Sequence, residues 1–161
     1  MFDFSEQEKI VIGAPLSGEI VALSDIPDAA FSKGILGPGI AIRPSKGCVK
    51  APTDGKIDTM FETGHAVSLL TDTKVELLIH IGMNTVSLNG KHFTTLTKTG
   101  ETVKKGEKLI SFDIDAIVSE GLKTVTPVVI CNPDDYAEIR FTTASHVEAG
   151  DDFIYLVKKD K

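Results

Sequence analysis

Thr63-Gly64-His65-Ala66-Val67-Ser68-Leu69-Leu70-Thr71-Asp72-Thr73-Lys74-Val75-Glu76-Leu77-Leu78-Ile79-His80-Ile81-Gly82 is the stretch on which the reading of the chain turns. Two aliphatic runs flank a short polar break, which is the pattern of a β-hairpin. With Asp72-Thr73 as the two central turn residues, antiparallel partners sum to 145, and His65 faces His80. Directly opposed side chains share a face with Cβ atoms about 4.5–5.5 Å apart. The register therefore predicts two neighbouring imidazoles. Alternation along each strand puts His65, Val67 and Leu69 on one face with Glu76, Leu78 and His80, and Ala66, Ser68, Leu70, Val75, Leu77, Ile79 and Ile81 on the core face. The histidines would sit outside, ringed by Val67 and Leu78, on a surface suited to docking. Asp-Thr is not a favoured pair for a two-residue turn, and a slip of one residue would exchange the faces.

Working outward, short apolar runs alternate with Gly, Pro, Asn and Asp along the whole chain. Strands are expected near 10–13, 18–22, 39–42, 47–50, 55–60, 109–112, 125–131 and 153–157. This is the signature of an all-β, antiparallel sandwich or barrel with only short helical turns. One such turn is expected at 114–121, capped by Asp113, and another near 26–31 with Pro27 at its start. Residues 1–9 read as a flexible N-terminal segment and 10–161 as a single domain.

The chain repeats itself. Ala14-Pro15-Leu16-Ser17-Gly18-Glu19-Ile20 recurs as Ala51-Pro52-Thr53-Asp54-Gly55-Lys56-Ile57, and Val103-Lys104-Lys105-Gly106-Glu107-Lys108-Leu109-Ile110 as Val147-Glu148-Ala149-Gly150-Asp151-Asp152-Phe153-Ile154. Together the phrases suggest an internally duplicated motif. Similar phrases occur in lipoyl and biotinyl carrier domains, but no Met-Lys pair is present to carry such a group.

The 161 residues carry a net charge of −6 and no concentrated basic face, which argues against nucleic acid and suits a basic protein partner. The start of the chain lacks a basic, apolar leader, and no run approaches the length of a membrane span. Cys48 and Cys131 are isolated in apolar contexts and are expected to be reduced, buried thiols of a cytosolic protein.

Two adjacent imidazoles permit phosphoryl acceptance, the beginning of a zinc site, or a purely structural pairing. A neutral ring nitrogen can attack phosphorus while the second ring holds the phosphoryl oxygens. Zinc would need at least one further ligand, and His92 and His146 are too dispersed to supply it. Each of those two reads as an isolated structural histidine. There is no nucleophile elbow and no nucleotide-binding glycine loop; Gly34-Ile35-Leu36-Gly37-Pro38-Gly39 is a turn. Any phosphate must therefore be brought by a donor.

The chain resembles the glucose-family enzyme IIA domain of the bacterial phosphoenolpyruvate-dependent sugar phosphotransferase system. The resemblance is carried by Ala14-Pro15-Leu16-Ser17-Gly18-Glu19-Ile20, Pro27-Asp28-x-x-Phe31, Gly37-x-Gly39-x-Ala41-Ile42, Phe61-x-Thr63-x-His65-Ala66, His80-x-Gly82-x-x-Thr85-Val86, Leu88-x-Gly90-x-x-Phe93 and Thr126-Pro127-Val128-Val129. It implies an antiparallel β-sandwich and a cytoplasmic phosphocarrier, free or attached to a membrane permease, with no cofactor beyond a transient phosphohistidine. His80 would take the phosphoryl group on Nε2 from the small carrier HPr and pass it to a cysteine of a IIB domain. His65 would hold the phosphoryl oxygens and Thr63 would orient His65. Phe31, Phe61 and Leu78 would form an apolar docking rim, with Asp28, Val67, Asn84 and Val86 beside it. Asn84 stands where the family commonly has Asp, which removes one acidic contact to HPr. Pro38 and Leu78 also depart from the family's frequent acidic and aromatic residues. The alternative from another class is a non-catalytic regulatory domain that binds partners through the same His65/His80 face.

Overall fold

The structure is a computed structural model that describes residues 9–159. Among these residues fourteen strands form three antiparallel sheets, alongside two short α-helices, as the all-β reading expects. The large sheet holds β2 (Gly18–Val21), β3 (Gly39–Pro44), β5 (Gly55–Met60), β6 (Ala66–Thr71), β7 (Glu76–His80), β9 (Thr102–Val103), β11 (Thr126–Ile130) and β13 (His146–Val147), in the order β13-β2-β3-β11-β7-β6-β5-β9. One small sheet pairs β1 (Lys9–Gly13), β14 (Asp152–Lys158) and β12 (Tyr136–Phe141). The other pairs β4 (Cys48–Lys50), β10 (Lys108–Phe112) and β8 (Phe93–Thr95). Residues 1–8 lie outside the described residues, and Lys9, expected in the N-terminal segment, already pairs with Val157.

The repeated phrases are the corners between sheets. Each A-P-x-x-G-x-I phrase carries the chain from a small sheet into the large one, from β1 to β2 and from β4 to β5. Each V-x-x-G-x-x-x-I phrase, with Leu109 in one copy and Phe153 in the other before the final Ile, carries it back, from β9 to β10 and from β13 to β14. Their backbone bonds correspond one to one. Ala14 N donates to Asp151 O at 2.8 Å and Gly150 N to Ala14 O at 2.9 Å, while Ala51 N donates to Glu107 O at 2.8 Å and Gly106 N to Ala51 O at 2.9 Å. The two corners also grip each other, Gly13 N to Pro52 O at 2.9 Å and Lys50 N to Pro15 O at 2.8 Å. A Cβ on Gly13 would stand 2.9 Å from Pro52 O, so the approach needs glycine there.

The duplication extends through the large sheet. Its pseudo-twofold passes between β7 and β11, where Ile79 pairs Val128, and it exchanges β3 with β6. Ile81 N donates to His65 O at 2.7 Å, and in the other half Ile130 N donates to Pro38 O at 2.8 Å. Pro38 and Val129 thus occupy the positions equivalent to His65 and His80. The main core, including Ile12, Leu16, Ile42, Val49, Ile57, Leu69, Ile79, Ile110 and Phe153, fills the space between the sheets.

The hairpin differs from the sequence reading. Its loop has three residues, Asp72, Thr73 and Lys74, closed by Thr71 N to Val75 O at 3.0 Å and Lys74 N to Thr71 O at 2.9 Å. Lys74 takes φ = +72°, the left-handed residue of a three-residue loop. Partners therefore sum to 146, and Ala66, not His65, pairs with His80. The faces of β6 exchange with this slip. Val67 and Leu69 point into the core beside Ile79 and Leu77, and Ser68 and Leu70 share the outer face with Leu78 and Glu76.

Both short helices lie where expected. In α1 (Ala29–Ser32) the Asp28 carboxylate, rather than Pro27, makes the start, accepting from Ala30 N at 2.9 Å. In α2 (Ile114–Ser119) the Asp113 carboxylate accepts from Ala116 N at 3.0 Å. The sequence reading missed β8, β9, β12 and β13. β12 is an edge strand with mixed exposure, and its sequence YAEIRF shows no clean alternation. The thiols also differ from expectation: both are free, but Cys48 is half-buried and Cys131, just past the end of β11, is exposed.

Candidate functional site

The two imidazoles meet, by a different route from cross-strand pairing. His80 ends β7 on its outer face. His65 precedes β6, opposite Ile81, where the turn at Thr63-Gly64 (Gly64 φ +70°) frees it from the strand's alternation. The ring centroids are 5.1 Å apart and the rings nearly perpendicular, at 82°. Phe31 lies 5.2 Å from the His80 ring and Phe61 5.4 Å from the His65 ring, so each imidazole has an aromatic neighbour.

His80 Nδ1 lies 2.9 Å from Gly82 O. A carbonyl only accepts, so Nδ1 carries the proton, and in the neutral ring Nε2 keeps its lone pair. Gly82 reaches back in this way with φ = +77°, and a Cβ there would lie 2.6 Å from Lys123 O. His65 Nδ1 is hydrogen-bonded to Thr63 Oγ1. Burial lowers the pKa of His65 to about 4, with help from the neighbouring His80. Burial also lowers that of His80, against the opposing pull of the Gly82 carbonyl, the Asp28 carboxylate and its own backbone. Both rings are therefore neutral at neutral pH. A neutral ring with a free Nε2 lone pair is a nucleophile.

The expected docking residues divide. Phe61 and Val86 are exposed, Leu78 and Asp28 are half-buried, and Asn84 is exposed in a left-handed conformation. Val67 is fully buried, a correction that follows from the register of the three-residue loop. Phe31 is buried as well; it packs with Ile26, Ala41, Met83, Val125 and Val129 beneath His80 instead of forming a rim. The sequence reading overlooked Ile35 and Leu36, which follow α1 and are 72% and 40% exposed. Two adjacent aliphatics inside a glycine-rich turn were the signal available. Beside Phe61 a hollow of about 340 Å³, lined by Ser68, Leu70, Glu76, Leu78 and Cys131, opens on the outer face of β6 and β7.

The remaining histidines stand apart, each with its own carboxylate: His92 Nε2 lies 3.0 Å from Glu120 and His146 3.8 Å from Glu148. Among the described residues no group of three or more His, Cys, Asp or Glu side chains is placed to hold a metal. No helix among them is long and apolar enough to cross a membrane.

Residues 10–136 match the family described as phosphoenolpyruvate-dependent sugar phosphotransferase system, EIIA 1. The chain is 38% identical over 159 residues to the PTS system glucose-specific EIIA component of Oceanobacillus iheyensis, covering 98% of this chain and 96% of the relative. It is 44% identical over 151 residues to the PTS system beta-glucoside-specific EIIBCA component of Halalkalibacterium halodurans, covering 94% of this chain and 24% of that longer protein. The structure superposes on the glucose permease IIA from Mycoplasma capricolum with a TM-score of 0.86 at 30% identity, over 96% of this chain and 99% of that one. The chain belongs to the EIIA 1 family of the phosphoenolpyruvate-dependent sugar phosphotransferase system and is a phosphocarrier component of such a system.

Proposed function

We propose that His80 Nε2 is the phosphoryl acceptor, loaded from the phosphohistidine of an HPr-type carrier and unloaded onto a cysteine of a IIB domain. The observation that carries this reading is the Nδ1–H bond to Gly82 O, which leaves Nε2 unprotonated in a neutral ring. As the Nε2 lone pair bonds phosphorus, the donor's N–P bond breaks and its electron pair returns to the donor nitrogen. With Thr63 donating to His65 Nδ1, the proton of His65 sits on Nε2 and is available to a phosphoryl oxygen. The chemistry requires mainly positioning and charge stabilisation, which this reading gives to His65 and to the Gly82 carbonyl.

Phe61, beside His65, is an exposed apolar side chain at the pair, as Val86 is in the turn that follows His80 and Ile35 and Leu36 are after α1, and the hollow between Phe61 and Leu78 accepts an apolar side chain. The acidic character of the chain suits a basic donor. The relative of which this chain matches 24% is named as an EIIBCA component, which supports a IIB domain as the acceptor. The site of action is then the cytoplasmic face of a sugar permease.

Intact-mass spectrometry after incubation with phosphoenolpyruvate, enzyme I and HPr tests this. The wild type is expected to gain one acid-labile, base-stable phosphate, and His80→Ala none. His65→Gln is expected to take up phosphate but to pass it on slowly. No uptake by the wild type would favour a regulatory domain that binds partners through the same face. Uptake by His80→Ala would transfer the acceptor role to His65.

A further inference from the structure

The turn that follows His80 contains a buried polar side chain, Thr85. Thr85 has no exposed surface. Its Oγ1 donates to Ile81 O at 2.5 Å, four residues back, and gives that buried carbonyl its hydrogen bond. Its methyl Cγ2 stands 2.7 Å from the place a Cβ on Gly82 would occupy, so Thr85 also packs against the glycine's α-carbon. On the far side, Met83 N donates to Lys123 O at 3.0 Å.

These contacts hold both peptide groups that flank Gly82. The Ile81–Gly82 peptide is fixed at its oxygen by Thr85, and the Gly82–Met83 peptide at its nitrogen by Lys123. No peptide among the described residues is cis, so the N–H and C=O of the Gly82–Met83 peptide point in opposite directions. An N–H held by Lys123 therefore aims the Gly82 oxygen the other way, at His80 Nδ1, 2.9 Å off. Rotation about the Gly82 backbone is the one motion that could swing this oxygen aside. Thr85 blocks it from one side and Lys123 from the other.

We infer that Thr85 is a positioning residue for phosphoryl transfer: its hydroxyl locks the turn so that the Gly82 carbonyl keeps the imidazole proton on His80 Nδ1 and leaves Nε2 free to bond phosphorus. The inference rests on His80 being the acceptor. Were the carbonyl to swing away, the proton could reside on Nε2, where no lone pair would remain for attack. The carbonyl has a second effect. When Nε2 bonds phosphorus while Nδ1 keeps its proton, the ring becomes cationic, and the Gly82 oxygen is the dipole that faces the new charge.

Nitrogen-15 spectra of histidine-labelled protein report which ring nitrogen carries the proton, independently of any phosphate chemistry. Wild type and Thr85→Ser, which keeps the hydroxyl, are expected to show neutral His80 protonated on Nδ1. Thr85→Val, the near-isosteric change, should show a mixture with the Nε2–H form, and its phosphate uptake should slow by about 10-fold or more, the usual scale for losing a group that orients a ligand histidine. Should Thr85→Val fail to fold, Thr85→Ala reads the same tautomer. A wild-type nitrogen-15 pattern or wild-type uptake in a folded variant without the hydroxyl overturns the inference. So does a Thr85→Ser protein that behaves like Thr85→Val, because the methyl and not the hydroxyl would then hold the turn. A wild type with the Nδ1–H form that takes up no phosphate would overturn the acceptor reading and leave the tautomer lock standing.

Discussion

His65 and His80 differ in what burial does to them. His65 is almost enclosed and titrates at about 4, whereas the fall in His80 is opposed by the Gly82 carbonyl and by Asp28. For the reaction, a lowered His80 pKa means that the free lone pair survives into mildly acidic solution. The acid limb of the uptake rate should therefore have its midpoint below 6.5, the ordinary histidine value, in stopped-flow measurements across pH; a midpoint at or above 6.5 would contradict the burial argument. For stability the sign runs the same way. Unfolded His65 takes its proton near 6.5 and folded His65 near 4, so between these values the unfolded chain binds more protons and gains on the folded one as pH falls. The stability contributed by neutral His65 is complete above about 6.5 and is lost progressively toward pH 4. His65→Gln, which does not titrate, should lose less stability than wild type between pH 7 and pH 4.5, read as the difference in Tm.

The hairpin shows how a correct conclusion can rest on a wrong element. The alternating aliphatics made two strands legible, and the two histidines at the open end of the hairpin were legible with them. The register was not, because the loop spends three residues with a lysine in the left-handed position, where Gly, Asn or Asp would have announced it. Val67 was misplaced for that reason alone. The caps of α1 and α2 were legible in different degree: Asp113 as read, Asp28 hidden behind Pro27. A non-glycine residue in the left-handed region costs about 1 kcal/mol. Lys74→Gly should therefore raise stability by about 1 kcal/mol in urea titrations, while phosphate uptake stays at the wild-type rate, since Lys74 sits at the opposite end of the hairpin from His80. A fall in stability would mean that the Lys74 side chain contributes more than its backbone costs.

At the scale of the molecule, the repeated phrases were visible in the sequence but their meaning was not. Periodicity identifies a duplicated motif. It does not say that the copies interlock through Gly13, Pro15, Lys50 and Pro52, because those bonds join backbone atoms far apart in the chain. The same limit hid the relation between the histidine pair and its counterpart. Val129 occupies the place of His80 in the other half and pairs with Leu78 across the pseudo-twofold. It is fully buried in the cluster that contains Phe31, and Phe31 in turn touches the His80 ring. Val129→Ala should cost about 2 kcal/mol of stability by opening that cluster, and it should also move the His80 ring signals in proton NMR, although Val129 belongs to the opposite half. Ring signals unchanged in the folded variant would show that the two corners are independent. Duplication thus provided one position twice, and the two copies have parted: His80 stays at the surface, where the proposed function places the phosphoryl group, and Val129 is covered over, part of the foundation on which the first is mounted.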